Sequence, residues 1–389
     1  MTTNKLAKQE TRKYCKCNYL SIYSLKTTKK TMRKQSHSLF TEVIETIPAD
    51  DWSRTWADNR TIMLRMTSKQ IKEIIDKMRL PVVVILNMSF WNKICNGTLI
   101  EKKQLVTRHL EVLATTCQIT RLELPYAYAT NIHCYLERLK QVLTQCKSLT
   151  NLNLYNNNLG IVGVTSLLGV LGQFSVLNLS HNYICTEGTA SLVEVLTQCT
   201  HLNLCNNSID TAGLESIEKC KKLTRLTYLN LCYNQINRVN IDKILLQNTG
   251  LTHLDLSQNH IHTVSIGTMT KFFALTYFNL GYNHITAEGA TSIARVLKQC
   301  TSLTTLNLVN NYIGTEGAYS LAGVIGHCTS LSKLYLASNL IGASGVERLS
   351  RVLSQCSSLT YLTLNDNGIG ENRAKNIAEV LGHRVKLMC

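Results

Sequence analysis

The chain has 389 residues, 44% apolar and 6% aromatic with only three prolines, so it can bury a large continuous core and does not read as disordered. No run approaches the roughly 18 apolar residues of a membrane span, and the N-terminus lacks the unbroken apolar stretch of a signal peptide. The net charge of +16 is unevenly spread: residues 1–36 hold ten Lys or Arg against Glu10 alone.

In chain order, residues 1–37 read as a basic, solvated tail. Its densest cluster, Lys29-Lys30-Thr31-Met32-Arg33-Lys34, has the composition of a nuclear address or of a contact with nucleic acid or acidic membrane. A tail without a specific partner is the simpler reading. Residues 38–80 are then expected to form three short helices. Leu39, Phe40, Val43, Ile44 and Ile47 recur at helical spacing and stop at Pro48. Asp50 or Asp51 is placed to cap a second helix carrying Trp52 and Trp56, and Ser68 precedes Ile71, Ile74, Ile75 and Met78. On Leu39-Phe40…Ile47-Pro48 and Leu64-x-Met66-Thr67-Ser68-Lys69…Ile71…Ile74, this module resembles an F-box, which implies docking of a Skp-type adaptor of a ubiquitin ligase. The other reading is a cap that shields the first repeat of a solenoid.

Residues 81–148 carry two irregular copies of the pattern that dominates the rest. One is Ile119, Leu122 and Leu124, with Ala127 where asparagine would stand; the other runs from Val84 to Met88, followed by Asn92 and Ile94.

Residues 149–389 hold nine regular copies of Leu-x-x-Leu-x-Leu-x-x-Asn. Their asparagines are Asn157, Asn182, Asn207, Asn234, Asn259, Asn283, Asn311, Asn339 and Asn367, each eight residues after its run start. The starts are spaced 24 to 28 residues apart, a repeat period. Alternation such as Leu334-Tyr335-Leu336 predicts a short strand with one buried side. Ile341-Gly342 then marks a turn, and Val346, Leu349, Val352 and Leu353 mark a helix. One such unit cannot bury its own apolar face, so neighbours must stack. The asparagine is expected to face the core, where its amide can satisfy backbone groups of the units above and below. Asn240 and Ser265 replace a glycine found in six other units, and the runs at 174 and 199 open on Phe174 and Cys199. Shortened or irregular helices are therefore expected between about 174 and 275.

This pattern resembles the leucine-rich repeat family, in its ribonuclease-inhibitor-like subtype. The resemblance implies an α/β solenoid, a horseshoe with a parallel β-sheet on the concave side, helices on the convex side and the small helical module in front.

Strand residues pointing away from the core would line the concave face. Two residues after each start stand Asn151, Val176, His201, Tyr228, His253, Tyr277, Thr305, Lys333 and Tyr361; four after stand mostly asparagines, with Asp255, Tyr335 and Thr363. Tyrosine favours protein interfaces because it joins apolar area to a polar tip. Tyr228, Tyr233, His253, Tyr277, Tyr282, Lys333, Tyr335 and Tyr361 are accordingly the candidate partner-binding residues. A phosphate backbone needs dense Lys and Arg; this nearly uncharged stripe argues against a specific nucleic-acid ligand. Nine strands give an inner arc on the order of 40 Å, the scale of a protein domain.

No phosphate loop, Gly-x-Ser-x-Gly elbow or His-Glu-x-x-His pair occurs, so neither enzyme chemistry nor a cofactor or metal site is read. Cys146, Cys300, Cys328 and Cys356 each lie three residues before a run start, as buried apolar fillers whose thiols are expected reduced. The expectation is an intracellular, cytoplasmic or nuclear, interaction scaffold that binds a protein through the concave face. The alternatives are an F-box-like substrate adaptor and a GTPase-activating protein of the Ran type, a group similar in repeat subtype but usually acidic where this tail is basic.

Overall fold

A computed structural model describes residues 82–85, 119–124, 133–265 and 274–388. The tail and the 38–80 module, and with it the expected docking of a Skp-type adaptor, lie outside the described residues. The first described elements are β1 (Val82–Ile85), β2 (Ile119–Glu123), α1 (His133–Gln145), β3 (Asn151–Asn153), α2 (Gly160–Leu171) and β4 (Val176–Asn178). Next come α3 (Cys185–Val193), β5 (His201–Asn203), α4 (Thr211–Lys219), β6 (Tyr228–Asn230), β7 (Arg238–Asn240), α5 (Ile241–Gln247) and β8 (His253–Asp255). The remainder comprises β9 (Thr263–Ser265), β10 (Tyr277–Asn279), α6 (Ala287–Leu297), β11 (Thr305–Asn307), α7 (Gly314–Ile325) and β12 (Lys333–Tyr335). The last are α8 (Gly342–Leu353), β13 (Tyr361–Thr363), α9 (Glu371–Leu381) and β14 (Lys386–Met388).

Among the described residues, twelve strands form one sheet in chain order, with β7 and β9 set aside in a two-stranded sheet of their own. Every neighbouring pair is parallel, and equivalent unit positions face one another: His201 pairs with Tyr228, Tyr228 with His253, and Tyr277 with Thr305. Such a register follows from the leucines. Leu303, Leu306 and Leu308 are fully buried, and the same three positions are closed to solvent in every regular unit, Phe174 and Cys199 included. Burying one leucine contributes roughly 1.5–3 kcal/mol. A slip of one residue would turn that set toward water.

The asparagine ladder is present. All nine amides are buried. Asn182 shows the pattern: its Nδ2 donates to the carbonyls of Leu154 in the unit before and of Leu179 and Ser180 in its own. Its Oδ1 accepts from the backbone N–H of Asn157 and Leu159, also in the unit before. An orphaned buried amide costs about 1–3 kcal/mol, so the position is a structural requirement of the turn, not a reading head.

The return path on the other side varies. Helices α6, α7 and α8 run 11 or 12 residues and pack on one another. They approach closely at glycine: a Cβ on Gly317 would sit 2.9 Å from Ala290 Cβ and 3.1 Å from Ala287 Cα. At the corresponding places stand Asn240, whose side chain caps α5 by accepting from Lys243 N–H, and Ser265. There the described path is β7 and the seven-residue α5 in one unit and β9 in the next. The shortening expected between 174 and 275 thus takes two forms: α3 and α4 remain helices of nine residues, and strands β7 and β9 enter the two units after them.

The cysteines need one correction. Cys146, Cys300, Cys328 and Cys356 are buried, and burial pushes the thiols of Cys300 and Cys328 up to about 12 and about 11. Cys205 and Cys232, however, form a disulfide across adjacent units, with Cα atoms 4.6 Å apart. Packed helices keep 8–10 Å between axes, but paired strands come within about 4.8 Å. Equivalent cysteines can therefore meet on the strand side while those at the helix ends stay apart.

Candidate protein-interaction face

Alternation sends the residue two after each run start to the solvent side of the sheet, and the common register stacks those residues into one row. At its centre His201, Tyr228, His253 and Tyr277 form a continuous column. The ring centroids are 5.9, 4.3 and 4.0 Å apart, with interplanar angles of 12, 17 and 1°. Asn230 Nδ2 and Asn279 Nδ2 reach back to the hydroxyls of Tyr228 and Tyr277 at 3.4 and 3.2 Å, which holds those rings upright. Burial between two phenols depresses the His253 imidazole to about 3, with the nearby His201 adding to the effect. His201 is lowered by burial as well. Both rings are neutral at neutral pH, so the column is an uncharged aromatic surface.

The other expected residues fall into two further groups. Tyr335 and Tyr361, on β12 and β13, lie 5.3 Å apart and tilted by 47°, with Lys386 Nζ 5.8 Å from the Tyr361 ring centre. Lys333 is exposed in the same row as Tyr361. Thr305 of β11 separates this group from Tyr277.

Tyr233 and Tyr282 stand apart from the row. Each follows a strand in the left-handed region, with φ of 55 and 57°. They line a polar hollow of about 330 Å³ at the strand ends, with Asn206, Ser208, Gln235, Gln258 and His260 among its other walls. No charged side chain lines it. Next to it, His260, His284 and Tyr312 make a second ring stack at 5.7 and 5.9 Å, and Tyr312 is 53% exposed. This edge stack escaped the sequence reading, although histidine, histidine and tyrosine recur nine residues after three successive starts.

Of the asparagines four after a start, Asn153 and Asn307 are half-buried and the other four do not line the face as expected. Asn178, Asn203, Asn230 and Asn279 are buried, and their Oδ1 atoms accept from the backbone N–H two residues on. The side chain folds back to close the turn, the habit of an Asx residue. Asp255 occupies that column and accepts from Ser257 N–H, the Ser257 hydroxyl and Asn279 Nδ2. Burial raises its carboxyl above the ordinary range. One strand earlier than the regular units, Arg121 of β2 is ion-paired with Glu123.

Among the described residues, no three His, Cys, Asp or Glu side chains gather as a metal site, and no helix is long and apolar enough to cross a membrane. Residues 224–285 and 249–313 match a family model described as leucine rich repeat, and residues 327–350 match a second leucine rich repeat model. A crystal structure of a TLR13–ssRNA13 complex is similar at a TM-score of 0.42 and 18% identity. The match covers 64% of this chain and 42% of that one. No curated protein matches the chain. The strand register, the buried asparagines and the matched segments define an α/β fold of the leucine-rich repeat solenoid class.

Proposed function

We propose that the protein is a non-enzymatic scaffold that binds a protein partner on the concave, solvent-side face of its strands. The observation that carries the reading is the neutral column His201–Tyr228–His253–Tyr277. A solenoid offers extended surface rather than an enclosed site, and rings held in register lose little freedom on binding. Tyr335, Tyr361 and Lys333 would extend the contact toward later units, and Tyr233 and Tyr282 would meet the partner's margin.

The finer kinship, a ribonuclease-inhibitor-like repeat, is supported by the 28-residue spacing of the units that carry α6, α7 and α8. An intracellular location belongs to the same proposal. The thiols of Cys300, Cys328 and Cys356 at the helix ends support it, and the Cys205–Cys232 bond weighs against it.

Proximity labelling in cells, comparing the wild type with a Tyr228→Ala/Tyr277→Ala double variant, tests the reading. A defined set of labelled proteins should disappear with the variant while its circular dichroism melt stays close to wild type. Identical labelling by the two would remove the column from any binding role.

A further inference from the structure

Cys205 and Cys232 stand six residues after the starts of two consecutive units, and no other regular unit has cysteine there. Their backbones are also held by hydrogen bonds that do not involve the sulfurs. Asn203 Oδ1 and Asn230 Oδ1 accept from the two cysteine N–H groups. The two carbonyls accept from His181 N–H and Asn206 N–H. Hydrogen bonds that do not involve the sulfurs thus hold the two cysteines side by side on adjacent strands.

The pair also sits where a change would be felt. Each cysteine is followed directly by a wall of the polar hollow, Asn206 and Tyr233, both left-handed at φ 53 and 55°. The bond joins the unit carrying α4 to the unit in which β7 replaces a longer helix. Cys205, at 7% exposure against 1% for Cys232, is the residue nearer to solvent.

We propose that Cys205–Cys232 is a reversible thiol–disulfide site that exchanges with small disulfides and thiols of the glutathione class, and that closing it stiffens the hollow. In the oxidising direction, Cys205 loses its proton to solvent and its thiolate attacks one sulfur of glutathione disulfide. The glutathione S–S bond breaks, one glutathione thiolate leaves, and a mixed disulfide remains on Cys205. Cys232, deprotonated in turn, attacks the Cys205 sulfur and expels the second glutathione. The two cysteines give up two electrons, and one glutathione disulfide becomes two thiols. Reduction runs the same steps backward. The exchange does not depend on which partner the strand face takes.

The test uses the full chain, equilibrated in glutathione buffers from fully reduced to fully oxidised, quenched with N-ethylmaleimide and mapped by peptide mass spectrometry. Cys205 and Cys232 should lose label together, as one cross-linked peptide pair, and regain it when reductant is restored. Cys300, Cys328 and Cys356 should stay thiols throughout. Amide hydrogen exchange across 206–208 and 233–236 should slow about tenfold on closure, and Cys232→Ser should abolish that difference. If that variant fails to fold, wild type with and without dithiothreitol gives the same comparison. Labelling that does not change across the series overturns the proposal, as does a bond that resists excess dithiothreitol in the folded chain. Equal hydrogen exchange in the two states overturns the stiffening.

Discussion

Between Ala287 and Leu353 the chain returns along three helices of 11 or 12 residues that pack through glycine and alanine. Between Arg238 and Ser265 it returns along β7, a seven-residue helix and β9. Despite this, β6, β8, β10 and β11 pair at equivalent residues throughout. The difference shows that the two sides of a unit answer to separate constraints. Leucines and ladder asparagines fix the strand side, so the return path is free to shorten. The ring column and the polar hollow both lie on the strand side of these central units, where the helix side departs most from regularity.

That division can be broken first at the leucines. Leu306→Ala in β11 should cost about 2–5 kcal/mol, read from a urea midpoint. Leu254→Ala in β8, equally closed to solvent, should cost a similar amount. A far cheaper loss at Leu254 would mean that the irregularity reaches the sheet. The helix side should separate the regions instead. Gly317→Leu forces a side chain against Ala290 and the backbone at Ala287 and should cost at least about 1–3 kcal/mol. The corresponding central substitution, Asn240→Ala, removes a cap from α5 and should cost about 1 kcal/mol. Equal costs would show that both return paths pack equally tightly.

Acid sharpens the comparison from the surface side. The folded state keeps His253 neutral down to about pH 3, whereas the unfolded chain takes up a proton near 6.5. Between those values acid favours the unfolded chain, so stability falls as pH drops below 6.5. The slope approaches about 1.4 kcal/mol per pH unit for this one group. A His253→Gln variant should lose that part of the dependence, measured as the difference between the two proteins' urea midpoints at pH 7 and pH 5. Superimposable pH profiles would show that the imidazole is not held neutral. The smallest effect is expected at Lys333, exposed on β12: Lys333→Ala should shift stability by no more than about 0.5 kcal/mol.

The repeat frame was readable because it answers to two strong constraints, burial of a leucine row and satisfaction of backbone groups at one turn. Each leaves a fixed residue at a fixed interval, as at Leu303 and Asn311. The row from His201 to Tyr277 was readable from alternation alone. What alternation could not supply is the direction a side chain takes once a local hydrogen bond competes for it. Asn203 and Asn230 should face solvent by parity, yet their amides turn back to the Cys205 and Cys232 N–H groups. Tyr233 and Tyr282 leave the row because their backbones are left-handed, a property that no β-period contains. The Cys205–Cys232 bond left no mark in the pattern, because the cysteines that recur from unit to unit are those at the helix ends. Strand and helix sides have different spacings, and only one admits a bridge.

Because the amide of Asn182 bonds backward to Leu154 and is matched by Asn207 one unit on, the solenoid has a grain, and its pieces are interchangeable only as whole modules. A duplication or excision that preserves the spacing between successive asparagines can be absorbed with every turn still closed. A single-residue insertion between Leu179 and Asn182 would strand the amide at that junction, and the lesion could not be repaired by sliding the chain.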